Sequence, residues 1–85
     1  MKTRKQLYEA ALHRPLTPAD RVLGFIYPTE GEQHAAHYAL IMSGAEYILY
    51  DGCNKQAIII VSSPESEKAV RAVMNGTEFD PIISR

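Results

Sequence analysis

The chain has 85 residues, a length that suits a single domain with a small core. Hydrophobic residues make up 46% of it and charged residues 22%, which excludes disordered and fibrous classes. Nine Lys and Arg against ten Asp and Glu give a net charge of -1, so no overall field attracts nucleic acid or an anionic membrane.

Cysteine content and apolar run lengths bear on the compartment. Cys53 is the single cysteine, so no intramolecular disulfide can form, which favours a reducing environment. The longest clean apolar run, Ala57 to Val61, is far too short to span a bilayer, and no apolar signal segment follows the basic first residues. We therefore expect one cytoplasmic domain, residues 1–85, with no membrane partner.

Two helices are predicted in the first third of the chain. Thr3 followed by Gln6 matches a capping box, and the apolar spacing after it predicts a helix over 4–14, stopped by Pro15. Thr17-Pro18-Ala19-Asp20 has the residues of a second helix start. That helix would carry Val22, Leu23, Phe25 and Ile26.

A third helix is predicted between Thr29 and Gly44. Thr29 with Glu32 repeats the capping signal, and Ser43-Gly44 suits a helix end. We expect one face of this helix to consist of Ala35, Tyr38, Ala39 and Met42.

The second half of the chain predicts a β-hairpin followed by a helix. Tyr47 to Tyr50 and Ala57 to Val61 are β-prone runs around Asp51-Gly52. The continuous apolar run Ala57 to Val61 indicates a strand covered on both faces or a dimer interface. Ser63-Pro64-Glu65 begins the last helix, and the tail after residue 77 is expected to be extended.

The predicted fold class is therefore α+β, with three N-terminal helices, a β-hairpin and a C-terminal helix. The alternative is an all-α, kinked helical hairpin in which Pro28 and Pro64 lie within helices.

The densest group of chemically versatile side chains lies at the predicted start of the third helix. His34 and His37 are three residues apart, so they project to one side of a helix and could share a metal with a third ligand such as Glu30. The spacing does not require that third ligand. We expect exposed or capping histidines, with a metal or proton-sensitive contact as the alternative.

Motifs for catalysis are missing from the sequence. It contains no glycine-rich phosphate loop, nucleophile elbow or paired-cysteine zinc pattern, and Cys53 has no local partner motif. We predict a non-enzymatic protein with no cofactor. The basic residues at its start, Arg14 among them, are expected to be solvated, with a local anion-binding surface as the alternative.

Three short segments are informative together: Arg14-Pro15-Leu16-Thr17, Arg71-Ala72-Val73 and Thr77-Glu78-Phe79. They resemble the two ends of phage helical-hairpin proteins that sequester cyclic-nucleotide immune signals, of the anti-CBASS and anti-Thoeris type. The resemblance implies an all-helical, oligomeric protein that binds a nucleotide. Side-chain chemistry then favours Tyr8, Arg21 and Arg71 for base stacking and phosphate contact.

Three functions follow from these observations. The favoured one is a small binding or inhibitory protein that blocks or recruits a macromolecular partner, with self-association through the Ile-rich segment as one form of it. The second is an oligomeric sponge for a small nucleotide ligand. The third is a winged-helix-like nucleic-acid module, which the absence of Lys and Arg between Glu30 and Gly44 disfavours. The candidate contacts are Tyr8, Arg14, Arg21, His34, His37 and Arg71.

Overall fold

The computed structural model describes residues 3–52 and 54–81. These residues form α1 (Arg4–Leu12), β1 (Arg21–Ile26), α2 (Glu30–Ser43), β2 (Ile48–Asp51), β3 (Gln56–Val61), α3 (Pro64–Val73) and β4 (Thr77–Phe79). The α+β class is confirmed, and the all-α alternative is wrong. Within the described ranges, every helix is too short or too polar to cross a membrane.

The strands form one antiparallel sheet in the order β2-β3-β1-β4. The predicted hairpin is confirmed as β2 and β3, with an irregularity between Leu49 and Asp51. β1 lies between β3 and β4 and pairs with β3 along its whole length, from Arg21 opposite Val61 to Ile26 opposite Gln56. From β1 onward, the connectivity is the split βαβ arrangement of ferredoxin-like folds.

The predicted second helix is wrong, because this segment is strand β1. Thr17 to Asp20 forms a turn in which the Asp20 N–H donates to the Thr17 carbonyl at 3.0 Å. A turn and the first turn of a helix favour the same residues, so the local signal does not distinguish them. The segment forms a strand because it can pair with β3 on one side and with β4 on the other. The three-helix order that suggested a winged helix is therefore not present.

Helices cover both faces of the sheet. Because side chains alternate along a strand, Ile59 and Val61 of β3 pack with α2 and α3, while Ile58 and Ile60 face α1. The five residues from Ala57 to Val61 are each 2% exposed or less. The prediction of a doubly covered strand is confirmed, and the alternative of a dimer interface through this segment is wrong.

The first helix and the extended C-terminal segment were both predicted from the sequence. The Thr3 hydroxyl accepts from the Gln6 N–H at 3.1 Å, and the Gln6 side chain accepts from the Thr3 N–H at 2.9 Å, as expected for a capping box. α1 ends two residues early, where His13 adopts φ of 62°. The extended tail is confirmed as strand β4, which pairs with β1. Cys53 lies outside the described residues.

Candidate partner-binding surface

α2 is fixed to the protein by its inner side. Thr29 caps its start by accepting from the Glu32 N–H at 3.1 Å, and Gly44 ends it in the left-handed conformation, with φ of 76°. Ala36 and Leu40 are buried in the core, and the Gln33 side chain donates to the Gly52 carbonyl at the end of β2. These contacts fix which side of α2 points outward.

The outward side of α2 carries large apolar residues. Tyr38 is 66% exposed, Ile41 56% and Met42 68%. We call these three residues, together with the exposed His34, the α2 outer face. The predicted face of Ala35, Tyr38, Ala39 and Met42 is not the one that the core buries, because the buried residues of α2 are Gln33, Ala36 and Leu40.

The position of α3 orients this face further. A shallow groove between α2 and α3 is lined by Ala35, Ala36 and Ala39 on one side and by Val73 on the other. With about 100° between successive helix residues, Ile41 and the half-buried His37 lie on the opposite side of α2 from α3.

The acidic residues of α2 lie in its first turn, and the helix contains no Lys or Arg. Residues 33–45 contain no Asp, Glu, Lys or Arg. Exposed acids precede this stretch at Glu30 and Glu32, and one follows it at Glu46. The result is an apolar surface with an acidic residue beyond each end. A helix with apolar residues on both its inner and outer sides is typical of one that has two packing partners.

Arg14, a predicted contact residue, is exposed but is paired with other residues of the protein. Its guanidinium donates to both carboxylate oxygens of Asp20, at 2.6 and 2.8 Å, and to the Ser62 hydroxyl at 3.2 Å. The Asp20 side chain is 1% exposed and also accepts from the Thr17 N–H at 2.8 Å. The hydrogen bonds from Arg14 hold the pKa of Asp20 well below its usual range. Arg14 therefore fixes the turn before β1.

Arg21 and Arg71, the other predicted arginines, do come together. They line a groove of about 550 Å³, here called the β1 groove. Its other lining residues are Asp20, Val22, Leu23, Glu78, Phe79 and Asp80.

Both arginines of the β1 groove are paired with acids. Arg71 pairs with Glu78 and, at 3.2 Å, with Glu67, while Arg21 lies 3.8 Å from Glu67. The hydrogen bond to Glu78 raises the pKa of Arg71. Both guanidiniums thus already face carboxylates, so a phosphate would compete with these acids for them.

Tyr8, predicted to stack on a ligand, is fully buried. Its hydroxyl donates to the Pro81 carbonyl at 2.6 Å, and its ring meets that of Tyr50 edge-on, with centroids 4.7 Å apart. It belongs to the small core beneath α1, with Ile58 and Ile60. Tyr8 holds α1 against the sheet by packing on these residues. Because it is buried, it offers no surface to a ligand in this structure.

The predicted histidine group lies in the N-terminal part of α2. Within residues 3–52 and 54–81, no three His, Cys, Asp or Glu side chains are placed to hold a metal ion. His34 belongs to the α2 outer face, and His37 borders it. The candidate surface therefore retains these two of the predicted contact residues.

Comparisons with models of protein families, with curated proteins and with solved structures find no match to this chain.

Sequence reasoning missed Tyr38, Ile41 and Met42 as surface residues. The signal was present, since residues 33–45 lack any charged side chain and a helix on the surface of a monomer ordinarily has a polar side. Only the packing of Ala36 and Leu40 shows which of the two apolar sides remains outside.

Proposed function

We propose that this protein acts by binding a protein partner through the α2 outer face, and that it blocks or recruits that partner. The observation that carries the proposal is the exposure of Tyr38, Ile41 and Met42, each more than half exposed, on one outward side of a well-capped helix. Small soluble domains rarely leave such residues grouped on the surface unless a partner covers them. Aromatic residues and Met are also enriched at protein interfaces.

The packing of α2 supports this proposal. The inner contacts of Ala36, Leu40 and Gln33 hold the helix in place without using the outer residues. A face held rigid in advance loses less conformational entropy on binding than a mobile one. The three exposed side chains are therefore suited to act together as the centre of an interface.

Affinity capture from an extract of the native host, with three matched baits, tests the proposal. The wild-type protein is compared with a variant carrying Tyr38→Gln, Ile41→Gln and Met42→Gln. Gln is a good helix former, so the triple variant should keep α2 intact, which circular dichroism checks. Leu7→Gln is the control, because Leu7 is an apolar residue of α1 that is 38% exposed.

We expect the wild type and Leu7→Gln to retain a protein at near-equal stoichiometry and the triple variant to lose it. Retention that is unchanged in the triple variant would place the contact elsewhere. A retained nucleotide that depends on Arg21 and Arg71 would instead support the sequestering function.

A further inference from the structure

The spacing of residues on the α2 outer face bears on the shape of a partner. This inference rests on the proposed function, since it concerns the same face. His34, Tyr38 and Ile41 of α2 follow one another at intervals of four and three residues. This is the spacing of a seam along which two helices pack side by side. The helix from His34 to its end at Ser43 gives this seam a length of about 15 Å, or almost three turns.

Charges at both ends of the seam bear on the partner's chemistry. Glu30 lies four residues before His34, on the same side of α2, and Glu46 lies two residues beyond the Gly44 cap; both are exposed. The last turn of α2 contains no basic residue, so the partial negative charge of its C-terminal carbonyls is not offset from within the helix. Both ends of the seam therefore favour a cationic neighbour.

A second copy of the chain is a poor match for this pattern. An antiparallel pair of α2 helices would bring Glu30 of one copy toward Glu46 of the other, and a parallel pair would bring identical acids together. Like charges placed opposite each other lower affinity. No Lys or Arg lies between Glu30 and Glu46 to offset them.

We propose that the α2 outer face binds an amphipathic helix of another protein, whose apolar stripe is flanked by Lys or Arg. Tyr38, Ile41 and Met42 would supply the apolar centre, and Glu30 and Glu46 would pair with basic residues at the rim. Rim charges of this kind govern partner selection and association rate more than total affinity.

Two synthetic helical peptides of equal length test this chemistry. They share one apolar stripe, and their flanking positions are all Lys in one and all Glu in the other. Fluorescence anisotropy measures the binding of each labelled peptide to the full-length protein at low salt and at about 0.5 M NaCl, where exposed charges are screened.

We expect the Lys peptide to bind about tenfold more tightly at low salt, with a smaller difference at high salt. Ile41→Gln should weaken both peptides. The double change Glu30→Gln with Glu46→Gln should narrow the preference for Lys. Glu65→Gln is the control, because Glu65 is an acid in the first turn of another helix, α3. With this variant, the ratio of the two peptide affinities should remain larger than with the double change.

Equal binding of both peptides would overturn the charge inference and leave the proposed function standing. Binding of the Lys peptide that is insensitive to Ile41→Gln would place it off this face and overturn the inference, as would binding of neither peptide. Sedimentation that shows a dimer broken by Ile41→Gln would assign the face to a second copy. The host-extract capture is judged separately, so failure of the proposed function is recognised on its own.

Discussion

Arg14 donates hydrogen bonds to both carboxylate oxygens of Asp20, six residues further along the chain. Both side chains also hydrogen-bond to Ser62, the residue after β3. The turn between α1 and β1 is thereby tied to the centre of the sheet. The Asp20 side chain is almost completely buried, so its charge depends on these partners. The contact explains why the turn residues lead into a strand at a fixed position.

Asp20→Asn should destabilise the protein. The amide keeps the shape of the side chain but loses the charge that Arg14 and Thr17 contact, so we expect a loss of about 1–3 kcal/mol in the free energy of unfolding. Urea denaturation followed by circular dichroism measures this. Glu65→Gln removes an exposed acid and serves as the control; an equal effect of the two changes would contradict the role of the pair.

The same contact predicts a dependence of stability on pH. The pKa of Asp20 is lowered in the folded state, so its contribution is fully present above its unfolded pKa of about 4. It is lost as the pH falls from there toward the lower, folded pKa. Between about pH 5 and pH 2, the wild type should lose more stability than Asp20→Asn does. Parallel slopes in denaturation series over this range would show that Asp20 is not the group responsible.

Gly76→Ala should be costly, because the structure leaves no room for a side chain there. An added Cβ would lie 2.8 Å from the Ile26 carbonyl oxygen and 2.8 Å from the Tyr27 ring. Backbone would have to shift at the start of β4, and we expect a loss of about 1–3 kcal/mol. Thermal unfolding measures it.

Gly31→Ala is the matched control for this substitution. The nearest atom to its added Cβ is the Thr29 hydroxyl at 3.9 Å, and Ala is the better helix former. It should be neutral or stabilising by up to about 1 kcal/mol. If Gly76→Ala had the same effect on stability, the close contact of Gly76 with Ile26 and Tyr27 would be contradicted.

Tyr8→Phe tests whether the Tyr8 hydroxyl contributes to the stability of the core. The change keeps the ring against Tyr50 but removes the hydrogen bond to the Pro81 carbonyl, so stability should fall by about 0.5–2 kcal/mol. Chemical denaturation provides the measurement. Unchanged stability would show that the hydroxyl is not needed to hold α1 against the sheet.

The helix starts and the hairpin follow from local chemistry, and the sequence predicts them. The Thr3 capping box, the Thr29 and Ser63 caps and the β-prone runs around Asp51-Gly52 each act over a few residues. Each of these signals is formed by residues within its own segment, so it can be read from the sequence. The α+β class therefore required nothing beyond the chain itself.

Two features were decided by tertiary structure alone. Residues 21–26 could follow the Thr17 to Asp20 turn as helix or strand, and the strand forms because β3 and β4 offer hydrogen bonds on both sides. α2 has two apolar sides, and contact with the sheet and α3 selects Ala36 and Leu40 for the core. Exposure of Tyr38, Ile41 and Met42 is the consequence of that selection. Local spacing shows that a helix is apolar, but only its packing shows which side is left for a partner.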